Sequence, residues 1–92
     1  MRLIDQIYEV TGTLSPDVTG TYNPIGPWES KPSYEIVGTG WFIWWNGDAD
    51  WYISSERGSP GVANWKRNDP AIAGVYAPGG TATGDATVSE VV

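Results

Sequence analysis

Glycine and proline recur from one end of this chain to the other, and they constrain its fold more than any other feature. The 92 residues include 12 glycines and 7 prolines. No window of ten or more residues spaces its apolar side chains three and four apart, as an amphipathic helix requires. Short strands joined by turns fit such a sequence, so we predict an all-β protein.

The length of the chain indicates one domain. A second folding unit would have too few residues to bury a core of its own. Residues 1–92 are therefore predicted to form a single β domain, in which residues 1–6 could be an extended N-terminal arm. The chain has no cysteine and no histidine, which removes disulfides, thiolate metal sites and the commonest general base. Stability must come from aromatic packing or from oligomerisation.

The clearest strands lie between residues 34 and 54, which we predict to be the core of the domain. Residues 34–37, 41–45 and 51–54 are rich in aromatic and β-branched side chains and are separated by Gly-Thr-Gly and by an Asn-Gly turn. They are predicted to form a three-stranded antiparallel meander. Further short strands on both sides of it predict a small antiparallel sheet or sandwich of about 6–7 short strands in all.

Alternation along the middle strand of the meander makes both of its faces apolar. Trp41, Ile43 and Trp45 fall on one face, and Phe42 and Trp44 fall on the other. One face is expected to pack inside the domain. The other needs a cover, for which we expect a neighbouring subunit or the surface of a larger particle.

Two segments of the chain resemble each other. Residues 16–26 and 70–80 share proline, β-branched, glycine and tyrosine positions, with Tyr22 matching Tyr76 and Gly20 matching Gly74. Two such turn-and-strand units, one on each side of the meander, predict a pseudo-symmetric molecule. Two copies are too few for a solenoid. In the first copy, Pro24 and Pro27 predict an edge strand or a loop, because proline cannot donate to a central ladder.

Tryptophan and tyrosine supply the candidate binding residues. Six tryptophans are more than a domain of this size is expected to enclose, so some are expected at an interface or a ligand site. Flat rings beside Asp and Asn also suit a sugar, because a ring covers a pyranose face while polar neighbours bind its hydroxyl groups. The candidates for these two roles are Trp28, Trp44, Trp51, Tyr52 and Trp65.

The sequence contains no recognisable set of catalytic residues. Asn46, Asp48 and Asp50 could offer oxygens to calcium, but the Asn-Gly dipeptide is typical of a hairpin turn and the spacing lacks a terminal glutamate. Nothing selects a catalytic pair from the 11 acidic residues. We therefore predict a protein that is not an enzyme, with no catalytic residue, no metal and no cofactor.

The charge and the hydropathy narrow the range of partners. The net charge of −6 repels phosphate backbones and anionic lipids, so neither nucleic acid nor a membrane is expected as a partner. No apolar stretch approaches the length of a membrane span, and the acidic start of the chain is unlike a signal peptide. The chain is expected to be made in the cytoplasm.

The sequence resembles the small β-modules of tailed-bacteriophage structural proteins and some bacterial surface proteins. The resemblance rests on GWFIWWNG at residues 40–47, on WYIS at 51–54, on WKR at 65–67 and on TATGDATV at 81–88. It implies a non-enzymatic structural protein of a virion, either a head decoration protein or a tail or fibre component. Such a protein would be a homo-oligomer that contacts capsid or tail proteins. The alternative is a carbohydrate-binding module that attaches to glycans through Trp28, Trp44, Trp51 and Tyr52.

Overall fold

The computed structural model describes residues 6–36 and 38–91, and these residues form a closed barrel of eight antiparallel strands. Each strand pairs with its neighbours in sequence, and the first strand pairs with the last. The strands are β1 (Ile7–Thr11), β2 (Gly20–Trp28), β3 (Lys31–Ile36), β4 (Trp41–Trp45), β5 (Trp51–Ser54), β6 (Ala63–Arg67), β7 (Gly74–Gly80) and β8 (Ala86–Val91). The described residues contain no helix, which confirms the all-β prediction.

The barrel corrects the predicted sheet or sandwich of 6–7 strands. Closure comes from β1 and β8, which pair from Ile7 opposite Val91 to Thr11 opposite Thr87. Alternating apolar residues show that each segment is a strand with one buried face, but they do not show which distant strands meet. The predicted meander is present as β3, β4 and β5. Residues 1–5 of the predicted N-terminal arm lie outside the described residues.

Aromatic side chains fill the inside of the barrel. Tyr8 of β1 lies 5.0 Å from Tyr34 of β3, and Trp45 of β4 lies 5.5 Å from Trp51 of the adjacent β5, both measured between ring centres. Trp65 is fully buried among them. An eight-stranded barrel is just wide enough for side chains to fill, so the interior here is a packed core.

The two similar segments form the same structure at opposite ends of the barrel. The hydroxyl group of Tyr22 donates to the backbone carbonyl of Val18 at 2.7 Å, and that of Tyr76 donates to the carbonyl of Ile72 at 2.7 Å. We call each of these tyrosine-to-carbonyl arrangements a tyrosine corner. The first lies where the β1–β2 connection enters β2, and the second lies where the β6–β7 connection enters β7. Because successive connections of an up-and-down barrel alternate between its ends, the two corners lie at opposite ends.

The proline-containing half of β2 lies at a place where the strand has one neighbour. β1 pairs with β2 only at Gly20, Thr21 and Tyr22, whereas β3 continues to pair as far as Trp28, with a bulge between Pro24 and Gly26. The missing N–H of each proline therefore costs little there. The segment predicted as an edge or a loop is the one-sided half of a strand.

Candidate functional site

The outer face of β4 and β5 carries the second set of aromatic residues. Phe42 and Trp44 point away from the barrel core, as alternation predicts, and neither belongs to the buried inner cluster. The ring of Tyr52 on β5 stacks on that of Trp44, with 4.9 Å between centres and 18° between planes. Trp44 is nevertheless only 2% exposed, so this outer face has a cover.

The cover is the long connection between β5 and β6, residues 55–62. The indole N–H of Trp44 donates to the Ser54 hydroxyl oxygen at 2.8 Å. The same hydroxyl oxygen lies 2.8 Å from the backbone carbonyl oxygens of Glu56 and Ser59. Ser54 is fully buried, so this shared hydrogen-bonding group holds the connection down on the barrel wall.

Arg57 fastens the connection to the neighbouring strands. The central carbon of its guanidinium group lies 5.2 Å from the ring centre of Trp28 and 6.0 Å from that of Phe42. Its Nη1 donates to the Ser33 hydroxyl oxygen at 3.1 Å. The Ser33 hydroxyl in turn donates to the carbonyl of Gly26 at 2.7 Å. Cation–π contacts and a partly buried hydrogen bond together hold the connection against the barrel wall.

Trp28, Phe42, Trp44, Tyr52 and Arg57 form an outer aromatic cluster, in which the chain itself buries Trp44 and leaves the other four side chains half-buried. The sequence predicts a neighbouring subunit or a particle surface as the cover of this outer face, and that prediction is wrong for Trp44, which residues 55–62 cover. The reason is that residues 55–62 are rich in Gly, Ser and Pro and can fold flat against the wall. No sequence feature showed where the single arginine of this segment would pack.

The five candidate residues fall into two groups. Trp51 and Trp65 lie inside the barrel, where their indole N–H groups donate to the carbonyls of Pro70 at 3.0 Å and Gly84 at 2.8 Å. Trp44 lies under residues 55–62. Trp28 and Tyr52 are half-buried on the outside. Only Trp28 and Tyr52 therefore present ring surface to a ligand or a subunit in this conformation.

The outer surface on the opposite side of the barrel is exposed to solvent and carries few charged residues. Its outward residues on β7, β8, β1 and the first part of β2 form rows across the strands: Val75 lies opposite Thr87, which lies opposite Thr11. The next row runs from Ser89 through Glu9 to Thr21. We call this surface the Thr/Ser/Val wall, and define it as Thr11, Thr21, Val75, Thr87, Ser89 and Val91.

The acidic residues are concentrated elsewhere. On the described part of these strands, Glu9 is the one charged side chain within the rows of the wall. Most of the described acidic residues lie in the connections between strands: Asp17, Glu29, Asp48, Asp50, Glu56, Asp69 and Asp85. The negative charge of the molecule is therefore strongest at its two ends, and Glu9 is the one acidic residue within the two rows of this wall.

The Asn46 loop is built as a turn. The Asn46 side-chain oxygen accepts hydrogen bonds from the backbone N–H groups of Asp48, Ala49 and Asp50 at 2.9–3.1 Å. Asn68 links this loop to the β6–β7 connection by donating to the Asp50 carboxylate at 2.8 Å. Within the described residues no group of His, Cys, Asp or Glu is arranged to hold a metal ion.

The comparisons found no match among protein families, curated proteins or solved structures. None of the residues described here forms a helix that is long and apolar enough to cross a membrane.

Proposed function

We propose that this protein is a non-catalytic assembly domain of a phage particle, a homo-oligomer that contacts capsid or tail proteins. The observation that carries the assembly role is the Thr/Ser/Val wall. Charged residues are depleted in the centres of protein interfaces, and this wall has little charge although the chain carries −6. The phage setting rests on the sequence resemblance described above.

The distribution of charge favours association through the sides of the barrel. Acidic connections at both ends would face each other if molecules stacked end to end, and like charges within a Debye length of about 8 Å repel. Two walls that meet side by side bring together mainly threonine, serine and valine, with one acidic residue, Glu9, in the rows of each wall. A second copy of the chain is therefore the occupant that we propose for the wall.

Light scattering on a sizing column tests this proposal with a matched pair of variants. Val75 lies in the wall and is 54% exposed, whereas Val62 lies in the β5–β6 connection and is 80% exposed. Val75→Glu introduces a charge into the proposed interface and is expected to weaken self-association by about tenfold or more. A tenfold change corresponds to a free-energy cost of ~1.4 kcal/mol for removing the charge from water. Val62→Glu makes the same chemical change outside the wall and is expected to leave the mass unchanged.

The wild-type protein is expected to show a mass that is a multiple of 10.0 kDa. A mass of one chain at every concentration would contradict the proposal. If wild type and Val75→Glu are both stable oligomers of equal mass, the interface lies on another surface.

The second candidate function is carbohydrate binding by Trp28 and Tyr52. It is favoured by the ring of Tyr52, which is held flat against Trp44 and is half-exposed, because a preset flat ring suits a pyranose face. Oligosaccharide titrations followed by tryptophan emission test it. A saturable change that Tyr52→Ala removes would support this function, and an unchanged emission across neutral and acidic oligosaccharides would count against it.

A further inference from the structure

The β2–β3 hairpin ends in a turn with an unusual backbone. β2 ends at Trp28 and β3 begins at Lys31, so Glu29 and Ser30 form the turn, with φ angles of +52° and +68°. Two-residue hairpin turns with positive φ normally use Asn and Gly, since other side chains are strained there. Such strain persists only where the surroundings hold the turn in place, and it is common at binding sites.

A pocket lies beside this turn. It has a volume of about 230 Å³ and is lined by Pro24, Gly26, Pro27, Ser30, Lys31 and Pro32. The volume is below the range of about 300–1,000 Å³ that is usual for drug-sized ligands, so it suits one ring or one side chain. Three proline rings form rigid walls, which lose no rotamer freedom when a ligand binds.

One of the residues that line the pocket, Lys31, is a cation. The Lys31 ammonium nitrogen lies 5.0 Å from the ring centre of Trp45. Among the residues that the structure describes, one ion pair is found, between Arg67 and Asp69, so Lys31 has no carboxylate partner there. An unpaired, half-buried ammonium group in a chain of net charge −6 is complementary to a carboxylate from outside the chain.

We propose that this hairpin pocket binds an aromatic side chain that has a carboxylate side chain next to it, on an extended segment of a partner protein. The aromatic ring packs on the proline rings, the pairing by which aromatic grooves and proline-rich segments recognise each other. The carboxylate pairs with Lys31. Ile25 lies between the lining residues Pro24 and Gly26 in sequence and is 40% exposed; this further apolar surface on β2 favours a peptide segment over a free small acid. The proposal rests on the assembly function but uses a site away from the Thr/Ser/Val wall.

Short peptides test the proposal by NMR titration of the ¹⁵N-labelled protein. The probes are acetyl-Glu-Tyr-Gly-amide, acetyl-Gln-Tyr-Gly-amide and acetyl-Glu-Ala-Gly-amide. The first is expected to give saturable shifts at the amides of Ser30 and Lys31 and at the Trp45 indole. Loss of the carboxylate is expected to weaken binding by about fivefold or more, as for loss of a partly exposed charge pair. Loss of the ring is expected to weaken binding by at least as much, because the ring supplies the apolar contact with the prolines.

Two lysine variants provide the matched control. Lys31→Gln is expected to weaken the Glu-Tyr peptide by about fivefold, whereas Lys66→Gln, on the exposed side of β6, is expected to leave its affinity unchanged. No shift with any peptide, or equal affinity for the Glu and Gln peptides, would overturn the proposal. Binding of free 4-hydroxyphenylacetate as tightly as the peptide would show a small-molecule site instead. The oligomer mass of Lys31→Gln is measured separately, so failure of this site and failure of the wall are distinguishable.

Discussion

Each of the three most buried indoles has a hydrogen-bond acceptor for its N–H group. Trp44 uses Ser54, ten residues away, and Trp51 and Trp65 use carbonyls nineteen residues away. Ser54 lies on the strand paired with β4, and the two carbonyls lie in the β6–β7 and β7–β8 connections. The positions of these acceptors therefore follow from how the strands pair and not from the spacing of residues along one strand. The sequence predicted which tryptophans share a strand face, but it could not predict which face would be inside or how the N–H groups would be satisfied.

The buried tyrosines make the free energy of unfolding depend on pH in the alkaline range. Burial raises the pKa of Tyr22 and Tyr76 well above the ordinary value of 10.0, and burial followed by the nearby Glu90 raises the pKa of Tyr8. The folded state keeps these protons at a pH where the unfolded chain loses them. The free energy of unfolding is thus unaffected below pH ~10 and is expected to fall above it, by up to ~1.4 kcal/mol per pH unit for each tyrosine. Urea denaturation between pH 8 and pH 11 measures this.

Phenylalanine variants provide the control for that pH dependence. Tyr22→Phe and Tyr76→Phe remove the ionisable group, so the double variant is expected to show a shallower alkaline decline. At neutral pH each is expected to lose ~0.5–1.5 kcal/mol, the net contribution of one hydrogen bond, and the two losses are expected to add because the corners are far apart. An unchanged alkaline slope in the double variant would show that these two tyrosines are not its cause.

At the scale of single elements, the local pattern predicted the strands better than the connections. The meander of β3, β4 and β5 follows from aromatic and β-branched runs between glycine-rich turns. The β5–β6 connection follows from no such pattern, because Arg57 is fixed by Trp28, Phe42 and Ser33, which belong to three other strands. Glycine and serine predicted a turn there without predicting that the turn would lie against the barrel.

Two glycines of this connection make the packing testable. Gly58 and Gly61 both have positive φ, +90° and +69°, so alanine is strained at either position. A Cβ atom on Gly58 would lie 2.6 Å from the Trp28 ring, whereas one on Gly61 would have only the Ser55 hydroxyl at 4.0 Å. Gly58→Ala is therefore expected to lower the free energy of unfolding by ~1–3 kcal/mol more than Gly61→Ala, the usual cost of overpacking.

Urea denaturation of the two glycine variants gives the comparison. Since both variants include the backbone strain, the difference between them isolates contact with Trp28. Equal losses of stability would mean that residues 55–62 do not pack on this ring in solution.

At the scale of the whole molecule, the sequence left the architecture open between a sheet and a sandwich. Both have two edge strands, whereas in the barrel β1 and β8 pair and only the second half of β2 has a single neighbour. The pairing depends on strands from the two ends of the described chain meeting in register, and local patterns contain no information on it. The internal similarity of residues 16–26 and 70–80 was the one long-range signal, and it corresponds to the two tyrosine corners.

The order of the strands also determines how the chain can reach this structure. Seven of the eight pairings join strands that follow each other in sequence, and only the β1–β8 pairing joins distant ones. Hairpins can therefore add one at a time to a growing ladder at low entropic cost, since each closes a short loop. The last step brings Ile7 to Val91 and closes the longest loop of all. We therefore expect residues that shape the curvature of the ladder to affect the folding rate more than those that form any one hairpin.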